Sequence, residues 1–208
     1  MSLIDDKLRA DLSRAYRTPG RSYHNLRHIE TLLELARQHG AALSDPDAVE
    51  AAIWFHDAVY DPRRSDNEEK SAELAAARLA GVTSDERITR IGAMIRATAG
   101  HTLPALSDPG AAADCALFLD MDLAVLAGAP AEFAAYEGQV RREYAFLPEP
   151  QWIAGRRRVL ENFLARPAIY LSETFRRTYE NRARQNLAQA LARLGSAPAP
   201  PSGTNSAG

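Results

Sequence analysis

The sequence predicts an all-α protein with a single domain over residues 1–194. Apolar residues recur at helical spacing through almost the whole chain, and no run of alternating Val, Ile and Thr indicates a strand. The length of 208 residues suits one domain, or at most two small ones. After position 194 the chain contains mainly Gly, Ser, Ala, Pro, Thr and Asn, so we expect residues 195–208 to form a disordered tail.

Residues that start or stop helices bound each predicted element. The pattern predicts a first helix over 3–17, with Ser2 as its N-cap, and a second from 25 to 38 that Gly40 ends. A third opens at 44–46, where Pro46 suits the first turn, and its apolar face should include His56 and reach Tyr60. The remaining predicted helices are 66–81, 84 to about 100, 111–127, 131–146, 151–166 and 172–194.

Composition narrows the classes of function. The chain is 46% apolar and 25% charged, and its net charge of −2 gives no overall field that attracts nucleic acid or an anionic membrane. Cys115 is the only cysteine, which suits a reducing cytoplasm. No apolar run approaches the roughly 18–20 residues of a membrane helix, and no secretory leader opens the chain. We expect a cytoplasmic protein without membrane or nucleic-acid partners, and an oligomer is compatible with the sequence.

Three segments place metal-ligand side chains inside apolar patterns. They are 23–28 (YHNLRH), 54–61 (WFHDAVYD) and 118–123 (FLDMDL). An unpaired charge is unfavourable in an apolar interior, so three such segments in one small chain indicate a common cause. A shared divalent cation is the simplest cause. For Asp57, an ion pair with an arginine is the main competing explanation.

The spacing within these segments limits which side chains can act together. His24 and His28 lie four residues apart, so they either chelate one metal or divide into a ligand and an acid–base group. A solvated pair at a helix end is the competing interpretation. Asp120 and Asp122 would lie about 200° apart on a helix, so only one faces the core, and that one needs a cation. Two His and two Asp favour Mn²⁺, Fe²⁺, Co²⁺ or Ni²⁺, with Mg²⁺ as an alternative, over a cysteine-rich structural Zn²⁺ site.

The order His…His-Asp…Asp in an all-α chain resembles the HD-domain phosphohydrolase superfamily. Four segments carry the resemblance: 20–29 (GRSYHNLRHI), 54–61, 66–72 (DNEEKSA) and 118–123. They look like a bacterial branch described as predicted metal-dependent HD phosphohydrolases, and the similarity covers roughly residues 3–194. The resemblance implies a helical HD-type bundle that hydrolyses a phosphate ester, with a nucleotide as the expected substrate and a metal-activated water as the nucleophile.

The resemblance also implies roles for individual residues. By position, the metal ligands are His28, His56, Asp57 and Asp122. Cyclic-nucleotide phosphodiesterases, distant relatives, have a similar Tyr-His-Asn-x-x-His segment, which implies His24 as the general acid. Asp122 is preferred to Asp120 because 121–123 is similar to the Ala-Asp that ends the metal set in many relatives.

A second metal ion would need further ligands. Dinuclear relatives carry extra histidines on the following helices, where this chain has Asn67 and Glu68, and the next histidine is His101. A second ion held by Asp57 as a bridge, with Glu68 and His101, is the alternative. A mononuclear site is favoured.

Other polar residues would complete a catalytic site. Arg21 is the first choice to meet the charge that develops on the phosphoryl oxygens, and Arg64 is the second. Asp61 or Glu68 would orient the attacking water. Ordinary surface charge is the competing interpretation for all four.

Two other functions stay open at this point. The domain could hold a nucleotide through its metal without turnover, or it could be a di-iron oxygenase, which would need a dinuclear site. The expected partner is a small phosphorylated molecule, but no nucleotide motif or base-stacking aromatic pair identifies it.

Overall fold

The computed structural model describes residues 2–195, and within this range the chain is all-α, with no strand. The helices are α1 (Asp6–Ala15), α2 (Leu26–Gln38), α3 (Pro46–Phe55), α4 (Asn67–Leu79), α5 (Asp85–Ala97), α6 (Pro109–Asp122), α7 (Pro130–Glu143), α8 (Glu149–Leu164) and α9 (Glu173–Gly195). Short 3-10 turns lie at Gly40–Ala42 and Leu123–Ala127. The predicted fold class is confirmed. The tail was predicted from residue 195, but Gly195 is the last residue of α9, and residues 196–208 lie outside the described residues.

One cluster of buried side chains extends from Leu3 near the beginning of the chain to Ala190 in α9. Aromatic residues from several elements are its largest fully buried members: Tyr16, Phe55, Phe118, Tyr170 and Phe175. α4 packs along α5, α8 packs along α9, and α3 contacts α2, α5 and α6. Within residues 2–195, no helix is both long and apolar enough to cross a membrane. The packing places the ends of α2, α3 and α6 close together.

The first helix begins later than the pattern predicts. Asp5, and not Ser2, is the N-cap of α1, because its carboxylate accepts the N–H of Leu8 at 2.7 Å. α2 begins as predicted, with the Asn25 side chain accepting the N–H of Arg27 at 2.9 Å. This cap places His28 in the first turn of α2.

The third helix is shorter than predicted. α3 ends at Phe55, and the chain through Asp57 and Ala58 turns away from the helix. The guanidinium of Arg21 stabilises this turn by donating to the carbonyls of Asp57 (2.7 Å) and Ala58 (3.0 Å). His56 stays on the buried side, with 1% of its surface exposed, as the apolar pattern predicted.

Candidate metal centre

The four predicted ligands meet beside the first turn of α2 and the last residues of α3 and α6. His28 lies in the first turn of α2, His56 and Asp57 follow α3, and Asp122 is the last residue of α6. Nε2 of His28 is 3.1 Å from Oδ1 of Asp122 and 3.2 Å from Nε2 of His56. Oδ2 of Asp57 is 3.0 Å from Nε2 of His56 and 3.8 Å from Nε2 of His28. The structure therefore brings together side chains that are up to 94 positions apart, from His28 to Asp122.

These spacings suit ligands around one ion. Ligand atoms about 2.1 Å from an octahedral ion lie about 3 Å from their neighbours around it. His28, His56 and Asp122 each offer a ligand atom, and these three atoms all lie within 4.8 Å of one another. Asp57 is not one of these three residues, but its Oδ2 contacts Nε2 of His56. The donors, two imidazoles with carboxylates, are those that suit a divalent transition metal.

The orientation of the His56 ring also suits a ligand. Its Nδ1 lies 2.9 Å from the carbonyl oxygen of Ile53, which can only accept a hydrogen bond. The proton on Nδ1 therefore points to that carbonyl, and Nε2 is the nitrogen that faces the cluster. The structure thus orients His56 to bind a metal through Nε2 when a cation replaces the proton on that nitrogen.

The electrostatics of the cluster favour positive charge. Burial lowers the pKa of His56, but the carboxylates of Asp57 and Asp122 outweigh it and raise that pKa to about 9. Burial alone would raise the pKa of Asp57, whereas the neighbouring histidines, His56 first among them, lower it well below its usual range. A bound cation would supply the positive charge that a proton otherwise supplies here.

Asp120 and Asp122 have different surroundings. Asp120 is only 1% exposed, and its two carboxylate oxygens accept the N–H groups of Leu171 (2.6 Å) and Ser172 (2.7 Å) at the start of α9. The expectation that the core-facing aspartate needs a cation is wrong for Asp120, because main-chain donors satisfy it. Asp122 instead faces His28 with Oδ1 and accepts a hydrogen bond from Nε2 of His101 with Oδ2, at 2.9 Å.

His24 lies beside the cluster and is held by Glu143. Nδ1 of His24 is 2.6 Å from Oε2 of Glu143, and the His24 ring stacks on Tyr60 with centroids 4.4 Å apart. Burial lowers the pKa of His24, but the charges of Asp57 and Glu143 and the hydrogen bond to Glu143 raise it above its usual value. Nδ1 is thus occupied, and Nε2 is the nitrogen left to exchange a proton in the cavity that His24 lines.

Sequence reasoning missed Glu143, whose carboxylate is fully buried. It accepts the main-chain N–H groups of Tyr23 (2.7 Å) and His24 (3.0 Å) and the hydroxyl of Tyr60 (2.7 Å). These bonds and the His24 ring outweigh burial and lower the pKa of Glu143 to about 2. A signal was present, since Glu143 continues the apolar spacing of α7 that runs through Phe133, Tyr136 and Val140.

Arg21 does not face the cavity. Its Nη1 donates to the carbonyl of His24 at 3.0 Å as well as to Asp57, and its Nε donates to the Thr18 hydroxyl at 3.1 Å. The expectation that Arg21 meets phosphoryl oxygens is therefore corrected. The residue joins the loop before α2 to the turn after α3, and so positions His24 and Asp57.

Asp61 and Arg64 also lie away from the cavity. The Asp61 carboxylate accepts the N–H of Arg63 at 2.9 Å, and Arg64 forms an exposed ion pair with Asp66 at 2.6 Å. Neither residue lines the cavity beside the cluster. The surface-charge interpretation fits both better than a role in orienting water or phosphate.

The cluster opens into a cavity of about 410 Å³. His24, His56, Asp57 and Asp122 line it together with Glu68 and His101. The Glu68 side chain makes no hydrogen bond or ion pair with another residue in the range 2–195, so its carboxylate is available to water or ligand. The size is within the range of small-molecule sites.

His101 has a left-handed backbone, with φ of +45°, which is uncommon for a residue other than glycine. Arg166 stabilises this turn by donating to the carbonyls of His101 (3.0 Å) and Gly100 (2.7 Å). The turn aims the His101 ring at Asp122. His101 therefore orients a predicted ligand in this structure.

The fold and the cluster together describe an all-α protein with a His/Asp group that could hold a metal ion. Comparisons of the chain with protein-family models, with curated proteins and with solved structures find no match. The resemblance to HD-domain phosphohydrolases therefore stays a prediction from four sequence segments.

Proposed function

We propose that this protein is a metal-dependent phosphohydrolase of HD type that cleaves a phosphate ester, with a nucleotide as the expected substrate. The observation that carries the proposal is the meeting of His28, His56, Asp57 and Asp122 in one cluster. A histidine suited to acid–base chemistry, His24, lines the same cavity. Metal ligands and a proton donor at one cavity are the groups that metal-dependent hydrolysis of a phosphate ester uses.

The four clustered residues would hold the metal, for which Mn²⁺, Fe²⁺, Co²⁺ and Ni²⁺ suit the mixed N/O donors best and Mg²⁺ is the alternative. A divalent ion there would supply Lewis acidity for a phosphoryl oxygen and lower the pKa of a coordinated water. We propose one ion per chain. Nε2 of His101, which the alternative dinuclear site would need as a ligand, is instead bonded to Oδ2 of Asp122.

His24 would act as the general acid. Its Nε2 proton passes to the oxygen of the leaving alcohol as the P–O bond breaks, while Glu143 holds Nδ1. Because Glu143 is fully buried and fixed by four hydrogen bonds, the imidazolium keeps its orientation through the step. His24 then regains a proton from solvent.

Glu68 is the residue that would orient the attacking water. It lines the cavity and has no competing partner in the described part of the chain. Arg21 acts indirectly, because it fixes the main chain that carries His24 and Asp57. Asp61 and Arg64 are not included in this mechanism.

Metal analysis followed by a phosphatase screen tests the proposal. The purified protein is analysed for metals and then assayed on nucleotides and nitrophenyl esters with Mn²⁺, Co²⁺ and Mg²⁺. We expect a bound transition metal and hydrolysis of at least one phosphate ester. Nucleotide binding without turnover would favour the binding module, and two irons per chain without hydrolysis would favour the oxygenase.

A further inference from the structure

α7 and α8 form one wall of the cavity, and neither helix carries a predicted metal ligand. α7 contributes Tyr136 and Val140, and Tyr144 follows at the same spacing of four residues. α8 contributes Leu160 and Phe163 together with Arg156 and Val159, again at spacings of three and four residues. Side chains at these spacings lie on one face of a helix. The cavity therefore has a largely apolar and aromatic side that the sequence alone did not reveal.

Arg156 is the one charged side chain in these two stripes. It is 7% exposed, forms an ion pair with Glu137, and lies over the Tyr136 ring, 5.5 Å from its centroid. Nε and Nη2 of Arg156 are engaged by Glu137 and Tyr136, whereas Nη1 bonds no other residue between 2 and 195. The guanidinium of Arg156 is thus fixed at the cavity, and its Nη1 is available to donate to a ligand.

The stability of the fold does not by itself explain the ion pair between Arg156 and Glu137. Replacing a buried ion pair by apolar side chains of similar size is often neutral or stabilising, so such a pair indicates a requirement other than packing. Trp152 and Leu160, four residues to either side of Arg156, are buried apolar side chains of the kind that packing alone would favour. The position of Arg156 between them, on a cavity wall, suggests recognition of a ligand.

We infer that Arg156 determines substrate specificity by donating a hydrogen bond from Nη1 to an acceptor on the alcohol part of the substrate. That part carries a planar, uncharged ring system, as the base of a nucleoside does, and this ring system packs against the tyrosines and Phe163. The inference rests on the proposed function, which places the phosphate at the metal cluster. Stacking on aromatic side chains accommodates any base, so Arg156 supplies the directional contact.

The charges around the cavity favour a single phosphate. Asp57, Asp122 and Glu68 are acidic, and the charge of Arg156 is offset by Glu137. Arg166 already donates to two main-chain carbonyls. With Asp57 and Asp122 as ligands, one divalent ion has no net positive charge left, so a monophosphate is the least disfavoured anion here and each further phosphate of a triphosphate adds repulsion beside the carboxylates. The substrate class is therefore the nucleoside monophosphates or phosphomonoesters of similar shape.

Kinetics of matched variants test the inference. Arg156→Met removes the donor, Arg156→Lys keeps the charge but not the planar fork, and Arg158→Met is the control, since Arg158 is exposed on the same helix. The probes are the four common nucleoside 5′-monophosphates, the matching triphosphates and para-nitrophenyl phosphate. Circular dichroism and metal content show that each variant folds and keeps its metal.

We expect both Arg156 variants to raise KM for the best monophosphate about tenfold or more, the effect of losing one hydrogen bond to a charged group, with kcat little changed. KM for para-nitrophenyl phosphate, which has no base and offers only weakly accepting nitro oxygens, should change much less, and Arg158→Met should match the wild type. Equal losses on both substrates, an unchanged nucleotide KM, or a preference for triphosphates would overturn the inference.

A binding measurement separates this inference from the proposed function. In the Mn²⁺-loaded His24→Ala background, Arg156→Met should weaken binding of the nucleoside monophosphate about tenfold while binding of inorganic phosphate stays the same. If the wild type hydrolyses no ester but nucleotide binding depends on Arg156, the proposed function is rejected and the role of Arg156 in recognition is retained. If no nucleoside monophosphate binds, the role of Arg156 in recognition is rejected, whether or not para-nitrophenyl phosphate is hydrolysed.

Discussion

Oε2 of Glu143 lies 2.6 Å from Nδ1 of His24, although 119 positions separate the two residues. The same carboxylate accepts the Tyr60 hydroxyl, and the Tyr60 ring stacks on His24. The His24 ring is therefore fixed on one edge by an anion and on one face by an aromatic ring. This arrangement aims a single ring nitrogen at the cavity and favours the protonated form that a general acid needs.

Replacing Glu143 by Gln should impair His24 without removing the metal. We expect kcat to fall about tenfold to a hundredfold, less than the roughly 10²–10⁴-fold that a positioned acid contributes. Burial lowers the pKa of His24, and Asp57 and Glu143 raise it. A bound cation would offset Asp57 but not Glu143. Losing the Glu143 charge should therefore lower that pKa, and the alkaline limb of kcat should move to lower pH.

The pH dependence of kcat, recorded with metal content, checks this prediction. Glu161→Gln is the matched control, because Glu161 is an exposed glutamate on α8. An alkaline limb at the same pH in wild type and Glu143→Gln would show that Glu143 does not set the protonation of His24.

His24→Ala should keep the metal and lose turnover. Because the lost group protonates the leaving oxygen, nucleotides, which have poor leaving groups, should slow by about 10²–10⁴-fold, and nitrophenyl esters should slow much less. Rates on both substrates at matched metal occupancy test this. If the two slow equally, His24 is not the acid.

The fold could be predicted from the sequence because helical periodicity is a local signal, and each of the nine helices in the described range overlaps a predicted one. Two ends were misplaced. α3 ends early because Arg21, 36 positions away, holds the turn at Asp57, and nothing in the sequence around α3 indicates this bond. α1 begins late for a local reason, since Asp5 and not Ser2 caps it.

The candidate site was predictable in part for the same reason. Polar residues inside apolar stripes indicated His28, His56, Asp57 and the pair at 120 and 122, and the resemblance separated their expected roles. Distances were needed to distinguish Asp122 from Asp120. Glu143 and Arg156 also interrupt apolar stripes, but in helices without other unusual residues. Their partners are evident only when the helices are packed.

Asp120→Asn should affect the stability of the fold, whereas Asp122→Asn should affect metal binding. Asp120 accepts two main-chain N–H groups, so Asp120→Asn should lower the free energy of unfolding by about 1–2 kcal/mol and leave metal affinity unchanged. Asp122→Asn should weaken metal binding at least tenfold, since a charged ligand becomes neutral. Urea unfolding and metal titration of both variants measure the contrast. Weaker metal binding in Asp120→Asn alone would reverse the assignment.

Arg21→Lys should destabilise the protein without changing phosphate binding. Arg21 donates to three main-chain carbonyls, those of His24, Asp57 and Ala58, and lysine cannot reproduce the planar fork. We expect a loss of about 2 kcal/mol in the free energy of unfolding, the effect of hydrogen bonds to a charged group. The inhibition constant of inorganic phosphate should not change. A weakened inhibition at unchanged stability would return Arg21 to the role of phosphate ligand.

The central claim is that His28, His56, Asp57 and Asp122 hold one catalytic ion. Calorimetric titration of Mn²⁺ or Co²⁺ into metal-stripped wild type, His56→Ala and Asp57→Ala, with hydrolysis assayed on the same samples, tests it most directly. We predict one tight site per chain in the wild type, and joint loss of tight binding and hydrolysis in both variants while helical circular dichroism is retained. An Asp57→Ala protein that hydrolyses phosphate esters without metal would contradict the account.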